Sequence, residues 1–258
     1  MSYKPFDLTG KVALITGGNG GIGLGMAEAV AEAGADVVIW GTNPAKNEAA
    51  RARLAKTGRK VMALACNVAD EAAVEAAFAV TLGGMGRIDS CFANAGVAGL
   101  GATRSFTAMT TAEWNHIRQI NLDGAFYTFR AAARHMVERG GGGVLVGTSS
   151  LAAIEGAPRN EHYAATKGAM IAMVRAMAVE FARHDIRAHS ILPGWIETQM
   201  TEAAMANDRF RDNVLPRIPM RRWGQGADFG GIAVYLMSDA SRYHTGDTFL
   251  IDGGYALY

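Results

Sequence analysis

The sequence predicts one α/β domain in which a mostly parallel, doubly wound sheet of about seven strands carries helices on both faces. Three observations predict it. Short apolar segments alternate with longer helical patterns from one end of the chain to the other, as when each strand is followed by a crossover helix. The first apolar segment runs into a glycine-rich turn and then a helical pattern. The chain, 258 residues of which 50% are hydrophobic, is long enough for one large core.

The elements follow in order. Val12–Thr16 is the first strand, an unbroken apolar and β-branched run, and residues 24–33 carry the first helical pattern. Strands follow over 36–40, Val61–Ala65, 88–93 and 144–147, each a run too short for a core helix. The last two are 186–192 and Thr248–Ile251. Gly83-Gly84 and Gly140-Gly141-Gly142-Gly143 fall between a helical pattern and the next strand, where glycine stops a helix. No domain boundary or internal repeat interrupts the series, so residues 1–258 read as one domain.

Charge and cysteine content exclude several functions. Lys plus Arg (25) nearly balance Asp plus Glu (24), leaving no basic field for nucleic acid or an anionic membrane. Cys66 and Cys91 lie in apolar runs without metal spacing and read as buried thiols of a reducing compartment. His116, His135, His162, His184, His189 and His244 form no metal-binding pattern, so no catalytic metal is expected. Met1-Ser2-Tyr3-Lys4 opens no apolar leader and no stretch approaches a membrane span, which predicts a soluble cytoplasmic protein.

The turn Thr16-Gly17-Gly18-Asn19-Gly20-Gly21-Ile22-Gly23 sits between strand and helix, the context that gives such glycines a function. Glycine lets the main chain bend and approach a pyrophosphate, while the helix N–H groups and dipole stabilise its charge. That predicts a Rossmann-type dinucleotide site; no Gly-Lys-Ser/Thr follows, which disfavours an ATP loop. The ribose selector belongs at the end of the second strand, where Gly41-Thr42-Asn43 holds neither an acid for NAD nor an arginine for NADP. Gly41 leaves room for a 2′-phosphate, Thr42 and Asn43 can bond either ribose, and Lys46 could reach a phosphate from the next helix, although a solvated helix lysine is its ordinary reading. The cofactor is NADP or NAD, with the balance leaning to NADP.

Ser150, Tyr163 and Lys167 carry the chemistry. Tyr163 and Lys167 share one face of a helical run. A free phenol has a pKa of about 10; a fixed ammonium beside it favours the phenolate and brings it closer to the working range of a general acid–base. Ser150 ends an apolar strand, where its hydroxyl can polarise a carbonyl at the edge where open α/β sheets bind ligands.

Together, Thr16-Gly17-x-x-x-Gly21-x-Gly23, Asn94-Ala95-Gly96, Ser150, Tyr163-x-x-x-Lys167 and Pro193-Gly194 resemble the short-chain dehydrogenase/reductase family over essentially the whole chain, and the stretch from Gly246 to Gly254 resembles its last strand and turn. The resemblance implies an NAD(P)(H)-dependent oxidoreductase interconverting a secondary alcohol and a ketone: a 3-oxoacyl thioester such as an acyl-carrier-protein substrate, a sugar or polyol, or a cyclic alcohol. It implies that Tyr163 transfers the proton, Ser150 orients the oxygen, Lys167 holds the ribose, and Asn121 belongs to a proton relay through its main-chain carbonyl. Asn94, Ala95 and Gly96 would line the adenosine side, Asn67 and Val68 would contact the adenine, and Ile196 and Thr198 would meet the carboxamide after Pro193-Gly194. Thr198 is also placed to cap the next helix.

The resemblance puts a substrate-covering lid at 198–222, where Met200, Met205, Phe210, Val214, Leu215, Ile218 and Met220 either wall the substrate or seat the lid. Arg159 and His162 could meet a substrate anion; solvated surface positions are favoured. Met170, Met173 and Met177 are core residues or, as the resemblance favours, part of a homotetramer or homodimer contact. A silent dinucleotide sensor is the alternative in a different class, disfavoured because Ser150, Asn121, Tyr163 and Lys167 are all present.

Overall fold

Seven strands, β1 (Val12–Thr16), β2 (Asp36–Gly41), β3 (Val61–Ala65), β4 (Ser90–Ala93), β5 (Gly143–Thr148), β6 (Ile186–Pro193) and β7 (Thr248–Ile251), pair in parallel in the order β3-β2-β1-β4-β5-β6-β7. This computed structural model describes residues 3–99 and 105–257; Met1 and Ser2, part of the N-terminal reading above, lie outside them. The intervals hold α1 (Gly21–Glu32), α2 (Pro44–Leu54), α3 (Glu71–Met85), α4 (Thr111–Arg118), α5 (Gly124–Arg139), α6 (Glu161–Phe181), α7 (Glu202–Met205), α8 (Asp208–Val214) and α9 (Gly230–Met237).

The apolar runs are unbroken because both faces of the sheet are covered. In β1, Val12 and Leu14 enter a core with Phe78 of α3, Phe129 of α5 and Val174 of α6, while Ala13 and Ile15 enter a second core with Met26 of α1, Leu54 of α2 and Ala233 of α9. Strand order reverses between β1 and β4, which opens a crevice at their C-terminal ends. The candidate site lies there.

Helix boundaries follow their caps. Asp70 accepts from the N–H groups of Ala72 and Ala73 at 3.0 and 3.2 Å to start α3, and Thr110 with Glu113 forms a capping box on α4. Gly140, left-handed at φ 72°, stops α5 as expected. Gly83-Gly84 does not stop α3: the helix runs through to Met85, and the left-handed Gly86 (φ 78°) ends it. Gly84 instead leaves room for Met62, whose Cε would lie 2.0 Å from a Cβ there. The fourth strand begins two residues later than the sequence suggests, because the Ile88 N–H turns to His135 Nε2 (3.2 Å) and Asp89 Oδ2 accepts from the Val12 N–H (2.8 Å).

Met170 is core, and Met173 and Met177 are half-buried against the same cluster. Both cysteines are buried and unpaired; burial pushes Cys91 up, and burial with the Asp70 charge pushes Cys66 up to about 11. No described helix is long and apolar enough to cross a membrane, and among the described residues no three His, Cys, Asp or Glu side chains are grouped to hold a metal ion.

Candidate active site

A cavity of ≈ 570 Å³ runs along the crevice from the glycine turn, between α1 and α2, to Ser150 and Tyr163. Gly17 and Gly21 take left-handed φ (65° and 51°), the bend that the sequence anticipated. The start of α1 has no side-chain cap and no acid in its first turn, and Gly20, Gly21 and Ile22 face the cavity. Its N–H groups and positive dipole end therefore remain available to an anion. Gly23 serves packing rather than contact, since a Cβ there would lie 2.3 Å from the Gly17 carbonyl oxygen. These features fit a pyrophosphate.

Thr16 and Asn94 hold the cradle to the sheet. The N–H groups of Asn94 and Ala95 both donate to Thr16 Oγ1 at 3.0 Å, and Asn94 Nδ2 donates to the Thr16 carbonyl at 3.1 Å. Thr148 Oγ1 donates to Asn94 Oδ1 (3.2 Å), tying the end of β5 to the same point. Thr16 is buried behind the cavity, while Asn19, Asn94, Ala95 and Gly96 line it. Gly96 lies at the proton-handling end rather than only beside an adenosine: a Cβ there would be 3.1 Å from Asn121 Oδ1 and 3.5 Å from Lys167 Nζ.

Ser150 and Tyr163 meet through their hydroxyls. Burial raises the Tyr163 pKa and the hydrogen bond with Ser150 works against that rise. Ser150 Oγ accepts from the Ala152 N–H at 3.1 Å, which orients the oxygen and leaves its hydrogen to donate. Lys167 is 4% exposed, donates to the Thr148 carbonyl at 2.8 Å and stands 5.5 Å from the Tyr163 ring centroid. Burial pushes its ammonium down to about 8. The sequence expectation that Lys167 would hold the phenol below its ordinary value is corrected here: desolvation raises it against the Ser150 hydrogen bond, and the ammonium is bound to main chain.

Asn121 is 1% exposed and reaches the site through its side chain. Its Oδ1 accepts from the Val97 N–H (2.8 Å) and its Nδ2 donates to the Val97 carbonyl (2.9 Å), fastening the segment after Gly96. It sits in a π-helical turn, Gln119–Asp123, where the Gly124 N–H bonds five residues back to Gln119. Such turns gather at functional sites; the sequence offered only a weak helix former there.

The ribose end differs from expectation. The space next to Gly41 is filled, because a Cβ there would lie 2.2 Å from Asn19 Nδ2 and 2.5 Å from Asn47 Oδ1, so the room expected at that glycine is taken by two amides. Buried Asn47, unnoticed in the sequence, accepts from Asn19 (2.6 Å) and donates to the carbonyls of Gly41 and Leu64. Thr42 is exposed, and Asn43 caps α2 by accepting from the Lys46 N–H at 3.1 Å. Exposed Asn67 closes a turn onto the Ala69 N–H, and Val68 is buried against Gly124, so Val68 packs into the core instead of facing the cavity. The helical spacing of Lys46, Ala49, Ala50 and Arg53 could have shown which face of α2 meets the cavity.

Pro193 and Gly194 end β6 at the cavity, and Gly194 abuts Asp252, whose Cβ would be 2.6 Å from a side chain there. Ile196, 4% exposed, pairs with Gly224 and lines the cavity with Thr198. Thr198 caps nothing: its N–H donates to Thr201 Oγ1 (3.1 Å), and Thr201 Oγ1 also donates to the Ile196 carbonyl (2.6 Å). In the lid segment Phe210, Val214, Leu215 and Ile218 seat on Trp195, Leu151 and Tyr255, whereas Met200 is half-exposed at the cavity. Met205 lines a separate shallow pocket and Met220 is exposed.

Arg159 is exposed, but His162 is 2% exposed, against the surface reading. Gly99 packs over its ring, and His162 Nδ1, Asn160 Oδ1 and Glu161 Oε2 are buried with no hydrogen-bond partner among the described residues.

Comparison with known proteins is consistent along the whole chain. A family model described as enoyl-(acyl carrier protein) reductase matches residues 17–256. The 2-dehydro-3-deoxy-D-gluconate 5-dehydrogenase of Dickeya dadantii is 32% identical over 255 residues, 99% of each chain. A short-chain type dehydrogenase/reductase from Mycobacterium marinum superposes with a TM-score of 0.93 at 35% identity over 99% of each chain. A gluconate 5-dehydrogenase from Burkholderia cenocepacia, solved in complex with NADP and tartrate, gives 0.91 at 35% identity over 98% of each.

Proposed function

The chain belongs to the short-chain dehydrogenase/reductase family, as an NAD(P)(H)-dependent oxidoreductase of secondary alcohols and ketones, and we propose that its substrate is polyhydroxylated, a sugar acid of the gluconate kind. The relatives carry this reading: the Dickeya and Burkholderia proteins, each covered almost end to end, are both named for gluconate-type substrates.

When bound, the nicotinamide supplies or accepts the hydride. Gly17, Asn19, Gly21 and Ile22 hold the pyrophosphate on the main chain of the turn. Tyr163 gives its proton to the carbonyl oxygen in reduction and takes one from the hydroxyl in oxidation. Ser150 donates to that oxygen, where negative charge develops. Lys167, charged below about pH 8, favours the phenolate when it forms and reaches the ribose; Asn121 keeps the Val97 segment and Lys167 in register. Ile196 and Thr198 position the carboxamide, and the segment 198–222 covers the substrate. The assembly is a homotetramer or homodimer, which a sizing measurement checks.

The test is nicotinamide absorbance with NADPH and NADH against a panel of gluconate-type ketoacids, a cyclic ketone and a 3-oxoacyl thioester, with Tyr163→Phe as control. Turnover of the sugar acids with the variant silent supports the reading. Thioester turnover alone moves the assignment to a 3-oxoacyl reductase, and cofactor binding without any turnover moves it to a sensor.

A further inference from the structure

Among the described residues three cations line the cavity, and two are committed. Arg53 Nη2 is paired with Glu28 at 2.8 Å, and Lys167 is buried at the Tyr163 end on the Thr148 carbonyl. The third, Lys46, has no ion-pair partner among the described residues. Its Nζ instead donates to Gln199 Oε1, 153 residues away in sequence, and both side chains are exposed at the cavity.

The bridge joins two walls of the cavity that the cradle also lines. Lys46 stands in the first turn of α2, which Asn43 caps. Gln199 follows Thr198, whose methyl group would be 2.9 Å from a Cβ on Gly21, at the start of α1. The Lys46–Gln199 pair therefore joins the second helix to the first residues of the lid segment, in the cavity that the start of α1 also lines.

We infer that Lys46 and Gln199 form an exchangeable latch: a phosphate of the dinucleotide takes Lys46 from Gln199, which couples phosphate recognition to release of the lid segment. This rests on the dinucleotide reading of the site. A neutral amide oxygen is a weaker partner for an ammonium than a phosphate, whose hydrogen bonds are assisted by charge on both sides. No acid stands at Gly41-Thr42-Asn43 to repel a phosphate. With threonine where an arginine would meet a 2′-phosphate, Lys46 is, among the described residues lining the cavity, the positive charge without an ion-pair partner or burial.

The experiment titrates the full chain with NADPH and with NADH by nicotinamide fluorescence, without substrate, for wild type, Lys46→Gln and Gln199→Ala. Limited proteolysis of the 198–222 segment is followed in parallel. Lys46→Gln weakens NADPH binding about tenfold. An unchanged NADH affinity identifies the 2′-phosphate as the exchanging group, and an equal loss identifies the pyrophosphate. Gln199→Ala keeps or tightens cofactor binding and speeds cleavage of the cofactor-free lid segment, because the competing partner is gone. The latch is overturned if Lys46→Gln binds both cofactors like wild type, or if Gln199→Ala weakens them as Lys46→Gln does, which would make the bridge purely structural. Failure of the wild type to bind either cofactor would instead overturn the dinucleotide reading itself.

Discussion

Lys167 Nζ lies 5.5 Å from the centroid of the Tyr163 ring, one helical turn along α6, while its hydrogen bond goes to the Thr148 carbonyl at 2.8 Å. The cation is thus anchored to the end of β5 and stands beside the phenol ring without bonding to it. Ser149 reinforces the anchor by donating from Oγ to the Lys167 carbonyl at 2.7 Å. Strand and helix hold the two residues in register from opposite ends.

Ser150→Ala should move the pH dependence upward. Burial raises the Tyr163 pKa and the Ser150 hydroxyl lowers it, so deleting the hydroxyl leaves only the upward push. Reduction needs the phenol and falls as pH rises through its apparent pKa; oxidation needs the phenolate and rises there. Both limbs of kcat/KM should shift to higher pH, with kcat down about 10²–10³-fold from the lost oxyanion donor. An unmoved or lowered limb would contradict the Ser150–Tyr163 bond.

Lys167→Met should give a more stable and inactive protein. The folded pKa, about 8, is depressed from 10.5, so below pH 8 both states are protonated and the folded state bears the cost of burying the charge. At about 1.4 kcal/mol per pKa unit this is on the order of 3 kcal/mol, less the bond lost to Thr148. Between pH 8 and 10.5 the unfolded state binds more protons, and wild-type stability rises with pH. Thermal melts should therefore show an advantage for the variant near pH 7 that shrinks toward pH 9.5.

Asn121→Leu should cost both stability and rate. The leucine leaves the N–H and carbonyl of Val97 without their partners at 2.8 and 2.9 Å, and each buried group so orphaned costs about 1–3 kcal/mol. The loosened segment begins at Gly96, against Lys167. A melt lowered by several degrees together with a reduced kcat is expected; a lowered melt with kcat intact would confine Asn121 to a structural role.

What the sequence made legible follows from periodicity. Both faces of β1 are buried, so Val12 to Thr16 reads as an unbroken apolar run, and the spacing of Tyr163 and Lys167 places them on one helix face. Less legible is what depends on contacts between distant segments. Asn47 looks like any helix asparagine until the amide of Asn19 arrives beside it, and Gly84 resembles a helix stop because nothing local reveals Met62. The direction of the Tyr163 shift was hidden for the same reason: desolvation is a property of the assembled core, whereas the neighbouring lysine is visible in the string.

Gly25→Ala tests how the cradle is held in place. A Cβ on Gly25 would lie 2.1 Å from the Gly226 carbonyl oxygen, and one on Gly226 would lie 2.3 Å from that of Gly21, so α1 meets the 226–229 turn main chain to main chain. Main chain cannot rotate aside as a side chain does. Overpacking of this kind costs about 1–3 kcal/mol, and at roughly 2–4 °C per kcal/mol the melting temperature should fall by several degrees. Because the displaced helix carries the N–H groups of the glycine turn, cofactor affinity should fall with it. Gly231→Ala is the control: the space around Gly231 is open and the residue is helical, so the substitution should stabilise by about 0.4–1 kcal/mol and leave cofactor binding unchanged. If both variants melt above wild type, the close approach of α1 to Gly226 is wrong, and the position of the cradle has to be explained by other contacts.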